Sequence, residues 1–230
     1  TAGGSEAEYR AGEGDERVVI VPIEGGIDDE MEDYVWRSFK ALDKAPPEAI
    51  VLRINSGGGG VTASDQIWHT ISQFKDKHPD TTIVASFGGV AASGGYYIAC
   101  AADHVVAYPS TVTGSIGVVF QTLSVKPALD RIGIEAEALV SGPNKAAGSP
   151  LETLEPTQRE ILQGLVDRFY ADFVAVVREN RTSIDPDTWD VVTDGRVFTR
   201  RRAYDLGLVD SLVAIRDGLT TATQPPNVKP

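Results

Sequence analysis

Apolar residues along this chain fall into two periods. Short β-branched runs at Arg17-Val18-Val19-Ile20-Val21-Pro22, at Ala49 to Asn55, at Thr82 to Phe87 and at His104 to Tyr108 read as buried strands. Between the first two runs lies a helical segment from Asp28 to about Asp43. After the second, Ile67, Trp68, Ile71 and Phe74 recur on one helical face. Farther on, Pro156 opens a stripe of Leu162, Leu165, Val166, Phe169, Phe173, Val176 and Val177. That spacing predicts one long amphipathic helix to about Asn180, its apolar face serving as core or as a subunit contact, with core preferred. Strands alternating with helices predict an α/β fold: a mostly parallel sheet flanked by helices, with a long C-terminal helix.

The ends of the chain differ from this pattern. Residues 1–16 are rich in Gly, Ala and acids and read as a flexible arm or linker. From Thr220 the chain is polar and Pro-containing and is expected to fray. Residues 17–219 are expected to form a single domain. With Thr1 in place of Met, the chain reads as processed or truncated.

One stretch imitates a membrane span. Residues 81–102 hold no charge over 22 positions, long enough to cross a bilayer. Four glycines interrupt them, however, and their character changes midway from β-branched to small. A strand, a turn at Gly88-Gly89 and a helix from Ser93 onward describe them better.

Composition narrows the possible functions. A 230-residue chain with 42% hydrophobic residues can fill a core. Its net charge of −12 argues against a nucleic-acid surface, which needs clustered cations. The one basic cluster, Arg200-Arg201-Arg202, reads as a solvated helix face. Cys100, the single cysteine, lies among alanines and reads as a small core residue. Three histidines without ligand spacing point to no metal site, and no cofactor is expected.

Candidate chemistry sits in the glycine-rich segments. In Asn55-Ser56-Gly57-Gly58-Gly59-Gly60-Val61, glycines follow a strand and precede a helix. The run lacks the lysine of a phosphate-binding P-loop and the spacing of a dinucleotide site. Glycine also lets main-chain N–H groups approach a ligand closely, as an oxyanion site requires. A tight turn packing a helix on the sheet would use the same residues. Ser93, in Ala92-Ser93-Gly94-Gly95-Tyr96, stands at a predicted helix start among residues too small to cover it. Close helix–strand packing is the bland explanation. A nucleophile with the Gly94 N–H beside it is the other.

A nucleophilic serine needs a base. Only His104 follows Ser93, at the start of a predicted strand, so a Ser–His–Asp triad finds little support. Lys145, in Ser141-Gly142-Pro143-Asn144-Lys145, lies 52 residues after Ser93 with no charged residue nearby. A free lysine titrates near about 10.4, so one acting as a base near neutrality has to be kept neutral by burial.

These segments, in this order, resemble the bacterial signal peptide peptidase family. The resemblance covers about Val18 to Leu212 and is carried by Asn55-Ser56-x-Gly58-Gly59, by Ala92-Ser93-Gly94-Gly95-Tyr96, by Thr113-Gly114-Ser115-Ile116-Gly117-Val118 and by Ser141-Gly142-x-x-Lys145. Asp194-Gly195-Arg196-Val197-Phe198-Thr199 and Gly207-Leu208-Val209-Asp210 are similar to the family as well. Gly57 departs from it, since proline is usual there. The resemblance implies a Clp/crotonase-type fold and a serine endopeptidase with Ser93 as nucleophile and Lys145 as general base. Ser115 would orient the lysine, and N–H groups of Gly94 and of Gly58 or Gly59 would hold the oxyanion. It further implies short hydrophobic peptides as substrates, including signal-peptide remnants. A ring-like homo-oligomer and a membrane tether upstream of this chain are implied too, on the extracytoplasmic face of a bacterial cell membrane. The crotonase relatives leave acyl-CoA conversion as an alternative, although the glycine loops lack the carboxylates it needs. A silent scaffold that gathers membrane partners is the other alternative.

Overall fold

The computed structural model describes residues 17–212, which form two compact units, 17–117 with 173–212, and 118–172. The expected arm and the frayed tail lie outside the described residues. The first unit holds strands β1 (Val18–Glu24), β2 (Ala49–Ser56), β3 (Thr82–Ala92), β4 (His104–Ala107), β5 (Val112–Gly114), β6 (Val197–Thr199) and β7 (Ser211–Leu212). Helices α1 (Asp29–Leu42), α2 (Val61–Lys77) and α3 (Gly94–Ala99) separate the early strands. In the second unit lie α4 (Lys126–Arg131) and the first part of α5 (Pro156–Asn180), which continues into the first unit. Two short helices follow, α6 (Trp189–Val192) and α7 (Arg200–Asp205).

The main sheet runs β1-β2-β3-β4-β7 with every neighbour parallel, as helical crossovers require. Alternation along β2 shows how the sheet is buried. Ile50, Leu52 and Ile54 enter the main core, while Ala49 and Val51 join Val84 and Val106 in a smaller cluster. Burying each such side chain contributes about 1.5–3 kcal/mol.

Helix α1 begins where the apolar period does because Asp28 caps it, its carboxylate accepting the Met31 amide at 3.0 Å. Val35, Phe39 and Leu42 form its buried face, and Phe39 meets Phe74 of α2 edge to face at 5.2 Å. Tyr97 of α3 packs against Trp68 of α2 and Phe173 of α5. Cys100 is buried in this core, and desolvation pushes its thiol up to about 12, which makes it an inert packing residue.

Two expectations change. Strand β3 does not end at Phe87 but runs on to Ala92. Its register on β2 passes from Ile54↔Phe87 to Ser56↔Ala91, so Asn55 alone faces Gly88, Gly89 and Val90. The Asn55 side chain closes this bulge, with Oδ1 accepting the Val90 amide at 3.2 Å. Beyond the bulge β3 changes partner, from β4 to β5. The stripe of α5 also divides. Phe173, Val176 and Val177 are buried, Leu162 and Val166 are half-buried, and Leu165 and Phe169 are exposed. Core is therefore the role of the C-terminal half alone, because the second unit has no buried residue of its own.

The uncharged stretch resolves into β3 and α3. Among the described residues no helix is long and apolar enough to cross a membrane. Of the basic cluster on α7, Arg201 and Arg202 lie exposed and Arg200 is half-buried.

Candidate active site

The partner change of β3 delivers Ser93 to the start of α3. Its backbone takes φ 52° and ψ −123°, a left-handed conformation costing about 1–3 kcal/mol for a residue with a side chain. Two hydrogen bonds hold it. The Ser93 amide donates to the Gly114 carbonyl at 2.9 Å, and its carbonyl accepts the Tyr97 amide at 2.9 Å, opening α3. The glycines after it are required by packing as well as by access. A Cβ on Gly94 would lie 2.3 Å from Ser64 Oγ, and one on Gly95 would lie 3.0 Å from the Ser56 carbonyl oxygen.

The glycine loop after β2 lies directly against the serine. Gly58 has φ +102°, and a Cβ there would fall 2.8 Å from the Gly94 nitrogen and 3.1 Å from Ser93 Oγ. Only a glycine leaves room beside that hydroxyl and that amide. Gly59 forms a parallel bridge with Ile27, whose amide donates to the Gly58 carbonyl and whose carbonyl accepts the Gly60 amide. The Gly58 amide is already given to Ser56 Oγ at 3.0 Å. The Gly59 amide has no acceptor among the described residues. Gly57 has nothing within 4 Å of a Cβ placed on it, so its departure from proline leaves these close approaches intact.

Ser115 is the other non-glycine residue with positive φ, at 53°, among the described residues. The register Ala92↔Gly114 on β3 and β5 sets it beside the Ser93 turn. Its amide donates to the Arg196 carbonyl at 2.8 Å.

Lys145 belongs to the second unit. It lies exposed in a turn where its amide donates to the Gly142 carbonyl at 3.1 Å. Gln158 of α5 ties down this turn, its Nε2 donating to the Pro143 carbonyl at 2.9 Å. Gln158 does not stand out in the sequence as a support of the site, and Ser56 stands in the Asn55-Ser56-x-Gly58-Gly59 motif without a role of its own. The sequence signal for Ser56 was its position, polar and buried at the end of an apolar strand.

An ion pair with a buried guanidinium lies behind α3. Arg181, 5% exposed, forks onto both oxygens of Asp210 at 2.9 and 2.7 Å. Asp210 also accepts the Val105 amide, and the Tyr96 hydroxyl of α3 donates to the Leu208 carbonyl at 2.9 Å. Gly207 to Asp210 thereby anchor α3 from below. No group of His, Cys, Asp or Glu among the described residues could hold a metal ion.

Comparison with known proteins bears on the family and the fold. Residues 75–229 match peptidase family S49, and residues 17–125 match the NfeD1b N-terminal domain. A Synechocystis protein bearing the name protease slr0021 is 34% identical over 85% of this chain and 69% of its own length. Protease 4 of Salmonella typhi is 36% identical over 77% of this chain, which spans only 28% of that protein. An Enterococcus faecium protein named for signal peptide peptidase SppA is 29% identical over 94% of this chain and 65% of its own length. Among solved structures, an asparagine-to-aspartate mutant of ClpP1 from Listeria monocytogenes superposes with TM-score 0.59 at 22% identity, over 87% of this chain and 94% of that one. The stomatin-specific membrane-bound protease 1510-N, as a serine-to-alanine mutant, gives TM-score 0.59 at 17% identity, over 89% and 84%. The fold is thus Clp-like, and the chain belongs to the serine-peptidase family S49, beside the signal peptide peptidases and protease 4.

Proposed function

We propose that this chain is a serine endopeptidase working through a Ser–Lys dyad on extended, hydrophobic peptides. The observation that carries the reading is the approach of Gly58 to both Ser93 Oγ and the Gly94 nitrogen, which makes one pocket of nucleophile and backbone donors. In this reading Ser93 Oγ attacks the peptide carbonyl while neutral Lys145 takes its proton. The tetrahedral oxyanion is held by the N–H of Gly94 and by that of Gly59, since Gly58 spends its own on Ser56. Lys145 then passes the proton to the leaving amine. Water activated by the same amine releases the acyl-enzyme, and Ser115 orients the amine.

Lys145 is exposed, so in this reading its cover during catalysis comes from the bound substrate or from a neighbouring subunit. Assembly into a homo-oligomer is supported by the second unit, in which eleven large apolar side chains are exposed and none is buried. The reading also sets the enzyme at the extracytoplasmic face of a membrane, near signal-peptide remnants, and the relatives named for signal peptide peptidase support it.

The test is hydrolysis of a quenched hydrophobic peptide by Ser93→Ala and Lys145→Ala. Each is expected to fall to background with an unchanged circular dichroism spectrum. In the parent enzyme the rate should climb with pH as the lysine loses its proton. Turnover surviving in either well-folded variant contradicts the dyad.

A further inference from the structure

The segment Asp194 to Thr199 has no part in the chemistry above, yet its backbone lies against the left-handed serines. We propose that the Asp194-Gly195-Arg196 turn is a positioning element for Ser115 and, through Gly114, for the nucleophile Ser93, with Asp194 as its positioning residue. The inference rests on the Ser–Lys reading for what Ser115 does.

Three links make the connection. Asp194 Oδ1 accepts the Arg196 amide at 3.0 Å, and both carboxylate oxygens accept from Arg196 Nε, at 2.9 and 2.7 Å. Backbone and side chain of Arg196 are thereby fixed by one carboxylate. The Arg196 carbonyl then receives the Ser115 amide at 2.8 Å, and the preceding Gly114 carbonyl receives the Ser93 amide at 2.9 Å. Along this path the amides of Ser93, Ser115 and Arg196 donate in turn to Gly114, to Arg196 and to Asp194, so the exposed turn holds the acceptors that fix the two serines.

The surroundings leave Gly114 little freedom. It has φ +88°, and a Cβ there would lie 2.6 Å from Phe198 Cδ2 and 3.1 Å from the Arg196 carbonyl oxygen. Antiparallel pairing sets Val197 opposite Gly114 and Phe198 opposite Thr113, so β6 seats β5 directly. Gly195, at φ +86°, supplies the left-handed bend, and a Cβ on Gly117 would meet its Cα at 3.3 Å. The turn therefore rests on the chain on both sides of Ser115.

Stability alone gives a poor account of the ion pair. Its side chains are 34% and 56% exposed, and pairs that open to water contribute little to folding. Left-handed backbone at two serines, by contrast, persists only where its surroundings impose it. The Asp194 carboxylate is itself held below the usual range by the Arg196 guanidinium and amide.

The experiment compares Asp194→Ala and Asp194→Asn with the parent on a hydrophobic peptide. Asp194→Ala is expected to lower kcat by about ten- to a hundredfold, as a small misplacement of catalytic groups does, with the melting temperature nearly unchanged. KM should move by less than about twofold. The asparagine keeps an oxygen for the Arg196 amide and should restore most of kcat. The ascending limb of the pH–rate profile should shift in the same direction as in Ser115→Ala, because both changes release the residue that orients the lysine. An Asp194→Ala enzyme with parental kcat and parental pH limb overturns the proposal, as does an asparagine variant no better than alanine. Failure of the underlying dyad shows separately, as turnover surviving in Ser93→Ala or Lys145→Ala.

Discussion

Gly58 shows how far single residues could be read in advance. Small residues at a helix start suggested an uncovered serine, and the family resemblance, rather than the glycine loop itself, implied that the loop serves it. It did not show that a Cβ on Gly58 would strike Ser93 itself, since that approach depends on the long-range placement of β2 and β3. The choice between Gly58 and Gly59 as a donor was equally hidden. It turns on Ser56, whose hydroxyl occupies the Gly58 amide. Substituting Gly58 by alanine puts a methyl group against Ser93 Cβ and forces a left-handed residue with a side chain. Turnover should fall by about a hundredfold, with a loss of stability of about 1–3 kcal/mol. Kinetics with a parallel thermal melt checks both, and an alanine variant with parental kcat would remove Gly58 from the site.

At the scale of elements the periodic segments were legible and the irregular ones were not. Helices α1 and α5 begin and end close to their predicted limits, because caps and apolar spacing are local signals. The bulge in β3 escaped notice. Gly88-Gly89 reads as a turn from sequence, and only Asn55, on another strand, turns it into a continuation of the sheet. Contacts between helix ends are non-local in the same way. Asp43, just after α1, accepts Lys77 Nζ at 2.6 Å and His78 Nε2 at 2.7 Å at the end of α2. These partners lower the Asp43 carboxylate pKa in the fold, Lys77 most. A depressed acid stabilises the fold above its unfolded pKa and ceases to do so as pH falls through the folded value. Asp43→Asn should therefore melt below the parent at pH 7, and the gap should close in acid. A gap that persists at pH 2 would mean that the charge of Asp43 is not what joins the helices.

At the scale of the whole molecule, net charge argues against a nucleic-acid surface and the alternation of elements points to the parallel sheet, but neither reveals that the apolar residues are unevenly shared. Amphipathic spacing on α5 looks the same whether its face meets core or another subunit, and here the two halves of one stripe part ways. Phe173, Val176 and Val177 are buried, while Leu165 and Phe169 remain 50% and 41% exposed. Exposed apolar area on this scale costs about 25 cal/mol for each Å² left in water, a cost that association between copies removes. If the exposed half of α5 is a contact between copies, Leu165→Glu with Phe169→Glu places two charges where apolar surface must be buried, and the assembly should dissociate. Lys145 would then lose any cover supplied by a neighbour, so peptide hydrolysis should fall along with the mass measured by light scattering. The melting temperature of the first unit should stay near the parent's, since its own core contains neither residue. A parent chain that stays monomeric at high concentration while fully active would show that the cover of Lys145 comes from the substrate alone.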